Sequence, residues 1–119
     1  MKSTHSKLRS ALFGALIALG IPGIASASFT HEEYTKFKEA DGMKYYVTGV
    51  AVGVSWTNAY VRSSGGKPPF CIPDGAAFTP KDADAIISKG AQMVPANVLG
   101  GTKVEVLMML GMGLMYTCK

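Results

Sequence analysis

Few side chains in this sequence are of types that do chemistry near neutral pH, and their spacing narrows the field further. His31 stands beside Glu32 and Glu33. A histidine becomes a general base only with a nucleophile and an orienting group in reach, and no serine or cysteine motif accompanies this one. Adjacent carboxylates on a helix point in different directions, so Glu32 and Glu33 do not form the facing pair that acid/base hydrolysis needs. Met108, Met112 and Met115 recur at helical spacing beside Met109. Thioethers are ligands for Cu(I), but methionine is also an ordinary filler of irregular cores, and no histidine joins this stripe. Gly65-Gly66-Lys67 lacks the first glycine and the hydroxyl of a phosphate-binding loop. The sequence therefore predicts no catalytic residue, no metal site and no cofactor.

Cys71 and Cys118 are the two cysteines, and their state depends on compartment. Lys2, Lys7 and Arg9 precede an apolar run from Ala11 to Ile21, a Pro22-Gly23 break and the small residues Ala25-Ser26-Ala27. That order predicts a secretory signal peptide over 1–27 with cleavage after Ala27. The apolar run is too short to serve as a membrane span. Ser28 follows the cleavage site, so no acyl anchor is indicated, and the product, residues 28–119, is expected in the periplasm without stable membrane insertion. In an oxidising compartment an even cysteine count makes one disulfide the default. The alternative, two reactive thiols, has no CxxC spacing or nearby histidine behind it. Loss of 1–27 also leaves nine basic against eight acidic side chains. The full chain's pI near 9.1 thus partly reports a discarded segment, and nucleic-acid binding is set aside.

The elements that would hold these residues read as helices. Thr30 with Glu33 three residues on has the capping-box spacing, predicting a short first helix through Tyr34 and Phe37 that stops near Asp41-Gly42. From Met43 to Val61 the run lacks proline or a turn pair, which favours a second helix over strands. On it Tyr46, Gly49, Val50, Gly53, Thr57 and Tyr60 share one face. Gly49 and Gly53 are expected to form a packing notch, inside the monomer in preference to a dimer seam. Arg62-Ser63-Ser64-Gly65-Gly66-Lys67 with Pro68-Pro69 reads as an exposed loop. Phe70 and Ile72 are expected to bury Cys71, and Pro73-Asp74-Gly75 to turn the chain. Thr79-Pro80 opens a further helix with Ala83, Ile86, Ile87 and Gly90 inward, halted by Pro95. Lys103 to Tyr116 is apolar nearly all round, predicting a central helix. The fold class expected is all-α, a small bundle of about four helices with one disulfide.

In this order Tyr46-Val47-x-Gly49-Val50, Phe70-Cys71-Ile72-Pro73, Thr79-Pro80, a late proline and the closing Cys118 resemble the Rap/Tai immunity-protein family. The match covers 45–118. Two positions depart from the family's usual pattern: no cysteine lies on the first helix, and Tyr116-Thr117 precedes Cys118 where Phe-Pro is common. The resemblance implies a small periplasmic all-helical protein with Cys71 and Cys118 bonded and Gly49 at a close-packing point, dimeric in many members. It further implies binding to, and inhibition of, a cell-wall amidase effector of a type VI secretion system. Occlusion of an active site needs a protruding loop on a rigid base, for which Arg62 to Lys67 is the candidate. Two other functions fit the residues: a periplasmic copper-binding protein using the methionines, and an envelope accessory protein with no enzyme target.

Overall fold

The computed structural model describes residues 28–119; the signal peptide expected over 1–27 lies outside the described residues. Five helices follow in chain order: α1 (His31–Phe37), α2 (Asp41–Ser63), α3 (Pro80–Ala91), α4 (Ala96–Leu99) and α5 (Val104–Met115). Among the described residues there is no strand, only an isolated bridge between Thr30 and Lys103, so the all-α expectation holds. No described helix is long and apolar enough to cross a membrane.

Local chemistry accounts for the helix starts. The Thr30 hydroxyl accepts from the Glu33 N–H at 3.2 Å while the Glu33 carboxylate accepts from the Thr30 N–H at 2.8 Å. Thr79 and Asp82 repeat this box at the head of α3, with Pro80 in its first turn. Each box satisfies two of the N–H groups that a helix start leaves without partners. The ends differ from expectation at one place. Gly42 does not cap α1; it lies in the first turn of α2, and α1 ends at Phe37. Left-handed backbone is found at Gly65 and Gly75 instead. A single turn, α4, follows Pro95, for which the sequence analysis predicts no helix.

The core is built mainly where α3 crosses α5, with α2 laid against both. Ile86, Ile87, Val104, Leu107, Met108 and Met112 are each at most 1% exposed. Burying a side chain of this size stabilises a fold by roughly 1.5–3 kcal/mol, so this small set supplies much of the driving force. Glycine makes the crossing close. A Cβ on Gly90 would lie 2.0 Å from the Leu107 carbonyl oxygen, and one on Gly111 1.9 Å from that of Ile86. The close approach inside the monomer expected at Gly49 and Gly53 is thereby corrected: both are exposed, and a Cβ added at either would meet no other element of the described chain within 4 Å. The buried line of α2 is Met43, Val47, Ala51 and Asn58, rotated about 100°, one residue step, from the face expected. The expectation of a central α5 is corrected too. Val106, Met109, Leu114 and Met115 on it are 43–49% exposed, so only one side of that helix is interior.

Candidate functional site

The segment singled out for binding begins inside a helix. Arg62 and Ser63 complete the last turn of α2, and the chain leaves that turn through Ser64. The Gly65 N–H donates to the Arg62 carbonyl at 3.2 Å and the Gly66 N–H to that of Val61 at 2.9 Å, with Gly65 at φ +82°. This pair of bonds is the Schellman closure, which needs a residue in left-handed backbone and so favours glycine there. The two glycines that resembled part of a phosphate loop are thus the C-terminal cap of α2. Ser63 to Lys67 are all exposed, and from Ser64 onward they stand beyond the helix end.

Three ties hold the base of this projection. The Arg62 guanidinium pairs with the Asp74 carboxylate across the loop. Both side chains are largely exposed, and such a pair orients more than it stabilises. Buried Asn58, one turn back on α2, accepts from the Phe70 N–H at 3.0 Å. Cys71 and Cys118 are joined, as expected, and the Cys71 N–H donates to the Tyr116 carbonyl at 2.8 Å. Phe70 and Ile72 are buried while Cys71 between them is exposed. The two apolar neighbours therefore anchor the strand of chain that carries the cysteine and leave the cysteine itself outward, contrary to the expectation that they bury it.

Beside the projection lies a cleft of about 390 Å³, walled by Trp56 and Arg62 of α2 and by Ile72, Asp74 and Phe78 of the returning chain. Its lining is mainly apolar and includes the Arg62–Asp74 ion pair. A second cavity of about 400 Å³ opens between α2 and α5, lined by Val54, Phe70 and Met109, with Glu105 at its edge. The Glu105 carboxylate accepts from the hydroxyls of Tyr46 and of Ser28, the latter at 2.9 Å.

The other chemistry-bearing residues are dispersed. The backbone N–H of His31 donates to the Thr102 carbonyl at 2.8 Å, and Glu33 caps its own helix, which holds its carboxyl below the usual range through the Thr30 backbone bond. Tyr34 is buried, and burial followed by its hydrogen bond to Asp84 pushes its phenol well above the ordinary value. Met108 and Met112 are fully buried in the core, whereas Met115 is 43% exposed; two of the three thioethers are packing against Ile86 and its neighbours rather than facing solvent. Among the described residues no three His, Cys, Asp or Glu side chains gather where an ion could sit.

Sequence reasoning missed Asn58, Asp74 and Trp56. Asn58 carried a signal, a polar side chain spaced seven residues from Ala51 on the inward line of α2. Asp74 was visible only as a turn residue. No family model matches the chain, and no match is found among curated proteins or solved structures.

Proposed function

We propose that this protein is a periplasmic immunity-type binding protein that inhibits a peptidoglycan amidase effector of a type VI secretion system by covering its active site. The observation that supports this reading is the projection Arg62 to Lys67: an exposed, doubly basic segment closed by a Schellman pair and tied at its base by Asp74, Asn58 and the disulfide. A loop already held in shape loses little conformational freedom on docking, and that economy is what lets a small inhibitor bind tightly. Inhibition by coverage demands no chemistry from the inhibitor. The order of features shared with the Rap/Tai family supplies the target class.

The experiment is inhibition of a purified cell-wall amidase encoded beside this chain, titrated with the disulfide-intact protein. Stoichiometric loss of peptidoglycan hydrolysis is expected, and Arg62→Ala with Lys67→Ala should weaken binding at least about tenfold, or 1.4 kcal/mol. An amidase that binds and is inhibited equally by the double variant removes this segment from the account. An amidase that neither binds nor is inhibited removes the immunity reading and leaves the accessory-protein one.

A further inference from the structure

Inhibition through Arg62 to Lys67 makes no use of the cleft of about 390 Å³ beside that segment. Its size falls within the ~300–1,000 Å³ of sites that hold small molecules. One of its walls is Trp56, 73% exposed. Of the residues that line it only Arg62 and Asp74 are charged, and they pair with each other.

Asn58 lines the same cleft, and part of its hydrogen-bonding capacity is unused. The side chain is 5% exposed, and its Oδ1 accepts from the Phe70 N–H. That bond fixes Nδ2 as the other end of the carboxamide, with two hydrogens to donate, and no group in the described chain accepts from it. Among the described residues no side-chain nitrogen or oxygen is both sealed from solvent and unbonded, so Nδ2 opens onto a cavity. In a mostly apolar setting a bond to such a donor is stronger than in water. Asn58 borders the α2–α5 cavity as well, but only the cleft adds an exposed aromatic face and an acid beside a base.

We propose that the cleft binds an N-acetylated sugar ring, stacked on Trp56, with the acetamido carbonyl accepting from Asn58 Nδ2 and ring hydroxyls bonded to Arg62 and Asp74. Each part of that ligand answers a part of the cleft. The C–H face of a pyranose is weakly positive and lies well on the negative face of an indole. A hydroxyl both donates and accepts, and the ion pair offers a guanidinium and a carboxylate side by side. Because that pair cancels its own charge, the cleft has no net charge with which to hold an anion or a cation. At Asn58 a hydroxyl would bring a hydrogen of its own where Oδ1 is already taken by Phe70, whereas a carbonyl brings none. The acetamido methyl suits the apolar Ile72 and Phe78 of the same lining. A wholly apolar ligand would strip water from Asn58 and the ion pair and replace none of its bonds. The inference needs no amidase, so it stands or falls apart from the inhibitory role.

Trp56 is the sole tryptophan, and its emission reports on the cleft. The purified, disulfide-intact protein is titrated to about 10 mM with the N-acetylglucosamine trimer, and separately with cellotriose, the glucose trimer of the same linkage, by tryptophan emission and calorimetry. The acetylated trimer should bind with a Kd of roughly 0.1–5 mM and shift the emission, with cellotriose at least about tenfold weaker. N-acetylglucosamine itself, run alongside, separates the two sources of this chemistry: equal affinity marks a site for one free sugar, a tighter trimer a site for a glycan chain. Trp56→Ala should lose at least about tenfold in affinity by calorimetry with helix content unchanged. Asn58→Asp, which keeps an oxygen for the Phe70 N–H and loses the NH2, should erase the preference for the acetylated trimer. The side-chain NH2 resonances of Asn58 in wild type should move on titration, a readout that does not depend on that variant folding. No heat and no emission change up to about 10 mM overturns the proposal. So does cellotriose binding as tightly as the acetylated trimer, Trp56→Ala binding as wild type, or Asn58 NH2 resonances that stay in place.

Discussion

The α-carbon of Gly111 on α5 faces the backbone carbonyl of Ile86 on α3 so closely that a Cβ would lie 1.9 Å from the oxygen. Gly90 repeats the relationship in the opposite sense toward Leu107. Both obstructing atoms are backbone, so no side chain can move aside. Gly111→Ala and Gly90→Ala must push α3 and α5 apart, and overpacking of this kind costs about 1–3 kcal/mol or more. Each should lose about 2 kcal/mol of stability in denaturant unfolding, despite alanine's better helix propensity. Gly49→Ala, with open space around it, should instead gain about 0.5–1 kcal/mol in dilute solution.

The disulfide links positions 47 residues apart. In the chain-entropy treatment a closed loop of that length stabilises by about 4 kcal/mol. Replacing Cys71 and Cys118 together by Ser should lower the unfolding free energy by about 3–4 kcal/mol, with helix content retained at low temperature. A drop below about 1 kcal/mol would mean that the Cys71 to Tyr116 backbone bond and the burial of Phe70 and Ile72 hold this corner unaided.

Among the described residues Asn58 is the one buried polar side chain, 5% exposed, and it is matched to one donor, the N–H of Phe70. Asn58→Leu leaves that N–H without a partner inside the protein, at a cost of about 1–3 kcal/mol. Hydrogen exchange should show the Phe70 amide losing protection along with Cys71, while α3 and α5 keep theirs. An unaltered exchange pattern would show that Asn58 does not hold the returning chain.

Acid sensitivity follows from the two capping boxes. The backbone bonds from Thr30 and Thr79 lower the carboxyl groups of Glu33 and Asp82 from ordinary values of 4.5 and 3.8. A group whose folded pKa is depressed contributes stability that is present above its unfolded value and is lost as pH falls through the folded one. Stability should therefore decline from about pH 4.5 downward. In Glu33→Gln with Asp82→Asn the decline over that range should be shallower. At the other extreme Tyr34, raised from an ordinary 10.0 by burial and by Asp84, contributes stability that is full below that value and falls as pH rises above it. Tyr34→Phe should flatten that alkaline limb.

Much of the scaffold was legible because its signals are local. Thr30, Thr79 and Pro80 announce helix starts through bonds made within four residues, and the inward face of α3, Ala83, Ile86, Ile87 and Gly90, follows from spacing alone. Gly42 misled because a glycine after an aspartate resembles a C-cap, while the actual caps depend on where the chain must turn, at Gly65 and Gly75. The face of α2 lies one step away from the one that the spacing of tyrosines and glycines predicts. Their burial is decided by which side α3 and α5 occupy, a long-range fact. For the same reason the half-exposed α5 looked central: apolar residues on every side say that something covers them, without saying whether it is this chain. Of the candidate site, the exposure of Ser63 to Lys67 was readable from composition, but its rigidity was not. That rests on Asn58 and Asp74, whose partners lie twelve residues away.

The most direct test of the central claim, an inhibitor presenting Arg62 to Lys67 to a cell-wall amidase, is a binding isotherm between that enzyme and three forms of the protein. These are wild type, Arg62→Ala with Lys67→Ala, and Asp74→Ala, which keeps both basic residues but removes the tie that orients Arg62. The account predicts nanomolar binding and inhibition for wild type, at least about tenfold weakening for the double variant, and an intermediate loss for Asp74→Ala. Identical isotherms for all three would contradict it, as would the absence of any heat or inhibition with wild type.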